Sequence, residues 1–183
     1  MNQREKIIRI SSRLMSQNGY KGTSIQEIAD LVGIHKTTFF HYFKNKEELL
    51  VAIVKIGIHE NLLELENIVK NMALSPEEKL KQAISAHLTS LTKYQNSSTI
   101  YLSEGRFLSQ KNKKEYFETR KHYSSYFEEI VKGLDSPKFK GLDKRMVTFG
   151  IMGMLNWVVR WYKKSGQYSI DDIADIFYQM IIK

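Results

Sequence analysis

Proline is nearly absent from this chain, since only Pro76 and Pro137 occur in 183 residues. Proline ends or kinks helices, so its scarcity leaves long stretches of sequence free to form them. Apolar residues recur at helical spacing through most of the chain, with no β-hairpin signal and no internal repeat. These patterns predict an all-α fold.

The first 46 residues predict three short helices. The first helix ends at Asn18-Gly19, because glycine after a helix is a common stop. Thr23 and Ser24 are both candidate N-caps for the second helix, since each is followed three residues later by Gln or Glu. Gly33 marks a tight turn, and the third helix is predicted over residues 35–43.

The rest of the chain predicts a larger helical body. A fourth helix is expected to run without a break from Lys46 toward Met72. Another starts at Ser75-Pro76, which combines an N-cap serine with proline at the first helical position. We therefore predict a three-helix head over residues 1–46 and a larger helical body over residues 47–183. Helices of the body are predicted near residues 79–95, 97–108, 112–133, 142–164 and 170–182.

Charge and composition limit the function classes. The 28 Lys and Arg against 20 Asp and Glu give a formal net charge of +8, which favours polyanionic partners. The absence of Cys excludes disulfides and thiolate zinc sites. The longest uncharged run, 146–159, is too short to span a bilayer, which takes about 20 residues. No apolar signal-peptide segment opens the chain, so we expect a cytoplasmic protein without a membrane partner.

Catalytic and metal-binding motifs are not apparent. The five His residues are scattered without ligand spacing, and there is neither a Gly-x-Ser-x-Gly elbow nor a phosphate-binding glycine loop. We expect no catalytic residue, no metal and no cofactor. An enzyme or a helical binding protein that does not bind DNA stays open as the alternative class.

Residues 24–46 have the features of a helix-turn-helix. From Leu31 to Lys46 there is no acidic residue, whereas three Lys and two His occur there, which suits a surface that meets phosphates. A glycine turn separates two short helices, and the second carries polar and cationic side chains. The predicted apolar seam between these helices contains Ile28, Ala29, Val32, Ile34, Phe39 and Phe43.

Residues 18–50, from Asn-Gly-Tyr-Lys-Gly-Thr-Ser through His-Lys-Thr-Thr-Phe-Phe-His-Tyr-Phe-Lys-Asn-Lys, resemble the head of the TetR family almost position by position. The resemblance implies that residues 1–46 are a helix-turn-helix DNA-binding domain for a palindromic double-stranded DNA operator. It also implies that residues 47–183 are an effector-binding and dimerisation domain. Position 40 is usually Tyr in the family, so Phe40 lacks one hydroxyl contact to phosphate. The positions implied to contact DNA are Gln26, Lys36, Thr37, Thr38, Phe40, His41, Tyr42 and Lys46.

Roles within that set follow from side-chain chemistry. Lys36 and Gln26 suit the base edges of guanine and adenine, whereas Thr37, Tyr42 and Lys46 suit phosphate oxygens. One recognition helix offers few base contacts, so two heads on half-sites one helical turn apart are expected.

The last two predicted helices are candidates for holding such a dimer. Residues 146–159 are apolar almost all round the helix, and an apolar stripe follows residues 173–181. Gly150 and Gly153 allow backbones to approach closely. In the family these helices pair with their symmetry mates, although the same pattern also fits burial inside one subunit.

A second resemblance concerns the effector. Residues 153–162, Gly-Met-Leu-Asn-Trp-Val-Val-Arg-Trp-Tyr, and residues 165–174 are similar to the body of the acyl-CoA-responsive TetR branch, which represses fatty-acid or sterol catabolism. The resemblance implies a repressor released by a small molecule, with a fatty acyl-CoA as the first candidate. A free fatty acid or a drug, sensed by a regulator of efflux or stress genes, stays open.

Polar residues embedded in apolar stretches and nearby aromatics define the predicted effector site. A buried Arg160 would need an anionic partner, either Glu104 or the ligand. Basic residues around Lys111 to Lys121 are candidates for the phosphates of coenzyme A, or form a solvated helix face. The predicted ligand-binding residues are Tyr101, Glu104, Arg106, Phe107, Tyr123, Phe127, Asn156, Trp157, Arg160 and Trp161.

Overall fold

The computed structural model describes residues 2–183, apart from the side chains of residues 59–61. Over these residues the chain forms ten α-helices and two short 3₁₀ helices, and it contains no β-strand. The predicted all-α fold is confirmed. The helices are α1 (Gln3–Asn18), α2 (Ile25–Val32), α3 (Lys36–Tyr42), α4 (Lys46–Ile56), α5 (His59–Lys70), α6 (Pro76–Lys93), α7 (Gln95–Ser103), α8 (Gln110–Gly133), α9 (Lys144–Trp161) and α10 (Ile170–Ile182), and the 3₁₀ helices are Gly105–Phe107 and Pro137–Phe139.

Local capping explains where the short helices of the head begin and end. Ser24 caps α2, since its hydroxyl accepts a hydrogen bond from the Glu27 N–H at 3.1 Å and the Glu27 carboxylate accepts from the Ser24 N–H. Thr23, the other candidate, instead donates its hydroxyl to the Gly19 carbonyl at 2.9 Å. Gly33 ends α2 with φ of 77°, a left-handed conformation that glycine adopts without strain.

The predicted unbroken helix from Lys46 toward Met72 is wrong. Helix α4 ends at Ile56, and α5 begins at His59. Residue 57 lies close to α7, because a Cβ added at Gly57 would stand 3.3 Å from the Ser97 carbonyl oxygen. This approach favours glycine, and glycine is a poor residue for a helix interior.

Helices α1 to α4 and α7 form the first compact unit, which comprises the residues up to Ile58 and residues 94–116. The predicted helix-turn-helix seam lies in its core: five of the six residues are buried, and Ile34 is partly buried. Leu49, Leu50 and Ile53 of α4 are fully buried in the same core. These apolar contacts fix α2 and α3 relative to α1 and α4.

Residues 59–93 and 117–183 form the second compact unit. Helix α6 is central to it, since α5, α9 and α10 all pack against it. Leu80, Ile84 and Leu88 of α6 are fully buried, as are Phe127 of α8 and Leu155 of α9. The head-to-body boundary at residues 46 and 47 stays a prediction. Over the described residues, no helix is both long and apolar enough to cross a membrane.

Candidate nucleic-acid interface and effector site

Helix α3 presents its polar side to solvent. Phe39 is fully buried and anchors the helix to the core, with its ring centroid 5.7 Å from that of buried Phe43. The predicted contact residues on the other side are exposed, except Thr38, which is half-buried. The side chains available to a DNA groove are therefore Lys36, Thr37, Thr38, Phe40, His41 and Tyr42.

Phe40 contributes an aromatic edge to this face. It is 45% exposed and meets the Phe39 ring edge-on, with centroids 5.6 Å apart. The His35 side chain makes no capping hydrogen bond to α3, although the His35 carbonyl accepts one from the Thr38 N–H at 2.9 Å. The helix is therefore held by its apolar anchors and not by its cap.

Gln26 is exposed on α2, and its side chain forms a hydrogen bond within that helix. Its amide nitrogen donates to the Asp30 carboxylate at 2.8 Å. An adenine edge pairs with the oxygen and one N–H of such an amide, and the bond to Asp30 leaves the oxygen and the second N–H of Gln26 for it.

Lys46 has a structural role that the sequence did not predict. Its ammonium donates to the backbone carbonyls of Tyr20 and Thr23, each at 2.8 Å, and stands 4.4 Å from the Tyr20 ring centroid. Partial burial lowers the pKa of Lys46 from its ordinary value. Because an ammonium has three N–H groups, these two bonds leave one for a phosphate. Lys46 thus fixes the loop between α1 and α2.

The segment after α7 supports the same loop. The Glu104 carboxylate, 7% exposed, accepts a hydrogen bond from the Tyr20 N–H at 2.9 Å. The Phe107 ring stacks on the Tyr20 ring with centroids 5.6 Å apart. Two residues predicted to bind the effector therefore pack against the loop that precedes α2.

Tyr101 and Arg106, also predicted for the effector site, belong to this first unit as well. The Tyr116 hydroxyl donates to the Tyr101 carbonyl at 2.6 Å, and the two rings meet edge-on. Arg106 is exposed, with its guanidinium 4.8 Å from the Phe107 ring centroid. The four predicted effector residues within 101–107 thus form one group, which lies in the first unit.

The second group surrounds a residue that the sequence prediction missed. His87 of α6 is 4% exposed, and its Nδ1 lies 2.8 Å from the Tyr123 hydroxyl. The Phe127 ring meets the imidazole edge-on at 5.9 Å, and the Asn156 side chain is also close enough to affect it. Three predicted residues, Tyr123, Phe127 and Asn156, are therefore brought together around His87.

The environment of His87 keeps the imidazole neutral. Burial lowers its pKa to about 4, and Asn156 opposes only part of this shift. Nε2 of His87 is buried and has no partner in good hydrogen-bond geometry, although a hydrogen bond with the Asn156 side chain is the interaction that raises the pKa. A helical period places His87 on the inner face of α6, but no sequence signal joins it to residues on α8 and α9.

The remaining predicted residues lie on the outside of α9. Trp157 and Trp161 are 64% and 45% exposed. Arg160 is exposed too, so the burial that would demand an anionic partner for it is absent. This corrects the premise on which its pairing with Glu104 was predicted.

Helix α9 has two apolar sides. Ile151, Leu155, Val158 and Val159 are buried within the subunit, whereas Met146 and Phe149 are more than half exposed, like Trp157. A Cβ added at Gly150 or Gly153 would meet nothing within 4 Å. On α10, Ile176 and Met180 are exposed as well. One side of each helix is therefore left without an apolar partner in the single chain.

Among the described residues, no group of three or more His, Cys, Asp or Glu side chains is placed to hold a metal ion.

Two family profiles cover most of the chain. The profile described as "Bacterial regulatory proteins, tetR family" matches residues 7–53, and "Tetracyclin repressor-like, C-terminal domain" matches residues 73–183. The chain is 34% identical over 64% of its length to the uncharacterised regulator YerO of Bacillus subtilis, of which the match spans 41%.

Longer matches link the chain to other transcriptional regulators, one of which is named for fatty acid metabolism. It is 24% identical to the transcriptional repressor KstR2 of Mycolicibacterium smegmatis, over 99% of this chain and 89% of that one. The fatty acid metabolism regulator protein of Bacillus subtilis is 26% identical over 97% and 92%. The crystal structure of AibR in complex with isovaleryl coenzyme A and operator DNA superposes with a TM-score of 0.86, at 26% identity over 99% and 98%.

Proposed function

Since the chain belongs to the TetR family of DNA-binding transcriptional regulators, we propose that it represses transcription from a palindromic operator and is released by a fatty acyl-coenzyme A. The observation that carries the DNA-binding part is the exposed face of α3. Its side chains are polar, cationic or aromatic, and no acidic residue occurs between Leu31 and Lys46. Such a face suits a major groove flanked by phosphates.

The dimer that a palindromic operator requires is proposed to form through α9 and α10. Both helices expose large apolar side chains, and the two glycines of α9 leave room for a second backbone. Exposed apolar surface of this extent is typical of an interaction site. A symmetric pair of copies would bury it and place two heads on neighbouring half-sites.

The acyl-CoA part rests on the relatives and on the body. AibR was crystallised with isovaleryl coenzyme A and operator DNA, and a relative is named for fatty acid metabolism. The second unit places aromatic residues Tyr123 and Phe127 around a neutral polar group, which suits an acyl chain ending in a carbonyl. Lys121, exposed on α8 within the same unit, is the candidate for a coenzyme A phosphate.

Release from DNA tests this function. The protein first selects its operator from a pool of random duplexes, and oleoyl-CoA, oleate and a cationic dye are then titrated into the operator complex at matched salt. We expect release by oleoyl-CoA alone, because a ligand shifts an equilibrium only by its differential affinity for two states. Release by oleate or the dye but not by oleoyl-CoA contradicts the acyl-CoA part. Failure to select any duplex contradicts the operator.

A further inference from the structure

The imidazole of His87 has one nitrogen bonded and the other unpaired. Nδ1 lies 2.8 Å from the Tyr123 hydroxyl, whereas Nε2 is buried and has no hydrogen-bond partner. A buried polar atom without a partner is costly and uncommon in native proteins. The side chain is 96% buried, as its exposed fraction is 4%, so bulk solvent does not supply the missing partner.

The neutral state of the ring limits what Nε2 can bind. With a pKa of about 4, His87 carries one ring proton at neutral pH. When the Tyr123 O–H donates to Nδ1, that proton stays on Nε2, which then requires an acceptor. A carboxylate buried here would meet no positive charge on the ring and would lose its hydration, so a neutral carbonyl is favoured.

We propose that the Nε2–H of His87 donates a hydrogen bond to the thioester carbonyl of the bound effector. This inference rests on the proposed function, and it names the group by which the body distinguishes a thioester from a free acid. Tyr123 orients the ring from the Nδ1 side, and Phe127 bounds it edge-on at 5.9 Å. The Asn156 side chain also acts on the imidazole by a hydrogen bond, so the effector carbonyl would share or replace that interaction.

A pair of ligands that differ only at the carbonyl tests the proposal. Oleoyl-CoA is compared with its thioether analogue, in which a CH₂ group replaces the C=O, by calorimetric titration into the full-length protein. We expect the wild type to bind the thioester about 10-fold more tightly, the usual effect of one buried hydrogen bond. His87→Phe removes the donor and is expected to abolish the difference, whereas His87→Gln keeps an N–H and is expected to retain part of it.

Nitrogen NMR on the wild-type protein gives a second readout that needs no variant to fold. The ¹⁵N shifts of His87 are expected to identify Nε2 as the protonated nitrogen and to move on addition of oleoyl-CoA. A proton on Nδ1 in the free protein overturns the inference.

The outcomes separate this inference from the proposed function. If oleoyl-CoA neither binds nor releases the operator, the acyl-CoA part of the function fails and the inference fails with it. If oleoyl-CoA binds and releases the operator but the thioether analogue binds equally well, the function stands and the role of His87 is wrong. Operator affinity and the unfolding midpoint are measured for both variants, so that a folding defect is recognised.

Discussion

In the first compact unit the charged groups Glu104 and Lys46 both bond to backbone atoms, whereas in the second unit the buried His87 leaves one nitrogen unpaired. The exposed surfaces of the two units also differ. The first unit exposes polar and cationic side chains on α3, and the second exposes Met, Phe and Trp side chains on α9. Under the proposed function, the first unit has one partner, DNA, while the second has two, an effector and a second copy of the chain.

The largest expected effect is on the affinity between the two copies of the proposed dimer. Phe149→Arg places a cation on the exposed apolar side of α9, where Phe149 is 52% exposed. A symmetric dimer would bury two unpaired guanidinium groups, so we expect dimer affinity to fall about a thousandfold. Sedimentation velocity measures this. Leu63→Arg on α5, 55% exposed in the wild type, is the matched control, and equal weakening by both variants argues against the α9 interface.

The next largest effect is expected on stability at low pH, because the imidazole of His87 is buried. In the folded state the pKa of His87 is about 4, below its ordinary value of 6.5, so the folded protein binds fewer protons than the unfolded chain. Stability from this group is complete above pH 6.5 and is lost as the pH falls toward 4, by about 3 kcal/mol in all. Urea unfolding at pH 7 and pH 4 is expected to show a loss of stability about 3 kcal/mol larger for wild type than for His87→Gln.

The control for acid unfolding is His41→Gln, which removes an exposed imidazole on α3. It is expected to follow the wild type at both pH values. If His87→Gln also loses as much stability as the wild type, then His87 is not the group that limits acid stability, and the second unit is less distinct from the first.

A smaller effect is expected on operator affinity when the exposed face of α3 is changed. Lys36→Ala removes an exposed cation from the first turn of α3, and a lost base contact weakens operator binding by about 1–3 kcal/mol. Affinity for random duplexes is expected to fall much less. Lys44 is an exposed lysine just after α3. Lys44→Ala should weaken binding to the operator and to random duplexes equally, and it should reduce the slope of log affinity against log salt concentration by about 1. Equal losses for Lys36→Ala on both DNAs place Lys36 on phosphate.

The smallest effect is expected at Glu104. Glu104→Gln replaces a charged acceptor of the Tyr20 N–H by a neutral one, so the free energy of unfolding should fall by about 1 kcal/mol. Oleoyl-CoA affinity should not change. Glu118→Gln, at an exposed position of α8, is the control for the charge. If Glu104→Gln leaves the stability unchanged but weakens oleoyl-CoA binding, then Glu104 is an effector-binding residue, as the sequence predicted.

The sequence predicted the helix-turn-helix well because its determinants are local. Ser24 and Glu27 form the capping box three residues apart, and Gly33 supplies the turn between α2 and α3. The seam residues follow one helical period, so their burial could be read from spacing. The DNA contacts themselves stay predictions.

The surroundings of the predicted effector residues were harder to predict because these residues meet their neighbours only through tertiary packing. Glu104 bonds to Tyr20 across 84 positions of the chain, and periodicity carries no information about such a pairing. His87 was missed for the same reason, since its neighbour Tyr123 lies 36 positions away. The break at Gly57 also depends on α7, a helix that the local pattern of α4 does not contain.

The placement of the two tryptophans gives the protein a built-in optical reporter. Both indoles of the chain, Trp157 and Trp161, lie on one helix and are strongly exposed in the single subunit. Indole emission shifts to shorter wavelength as water is excluded, so the intrinsic fluorescence of the whole chain follows the covering of α9. Dilution of the unlabelled protein should therefore give a red shift in emission at the concentration where dimers dissociate.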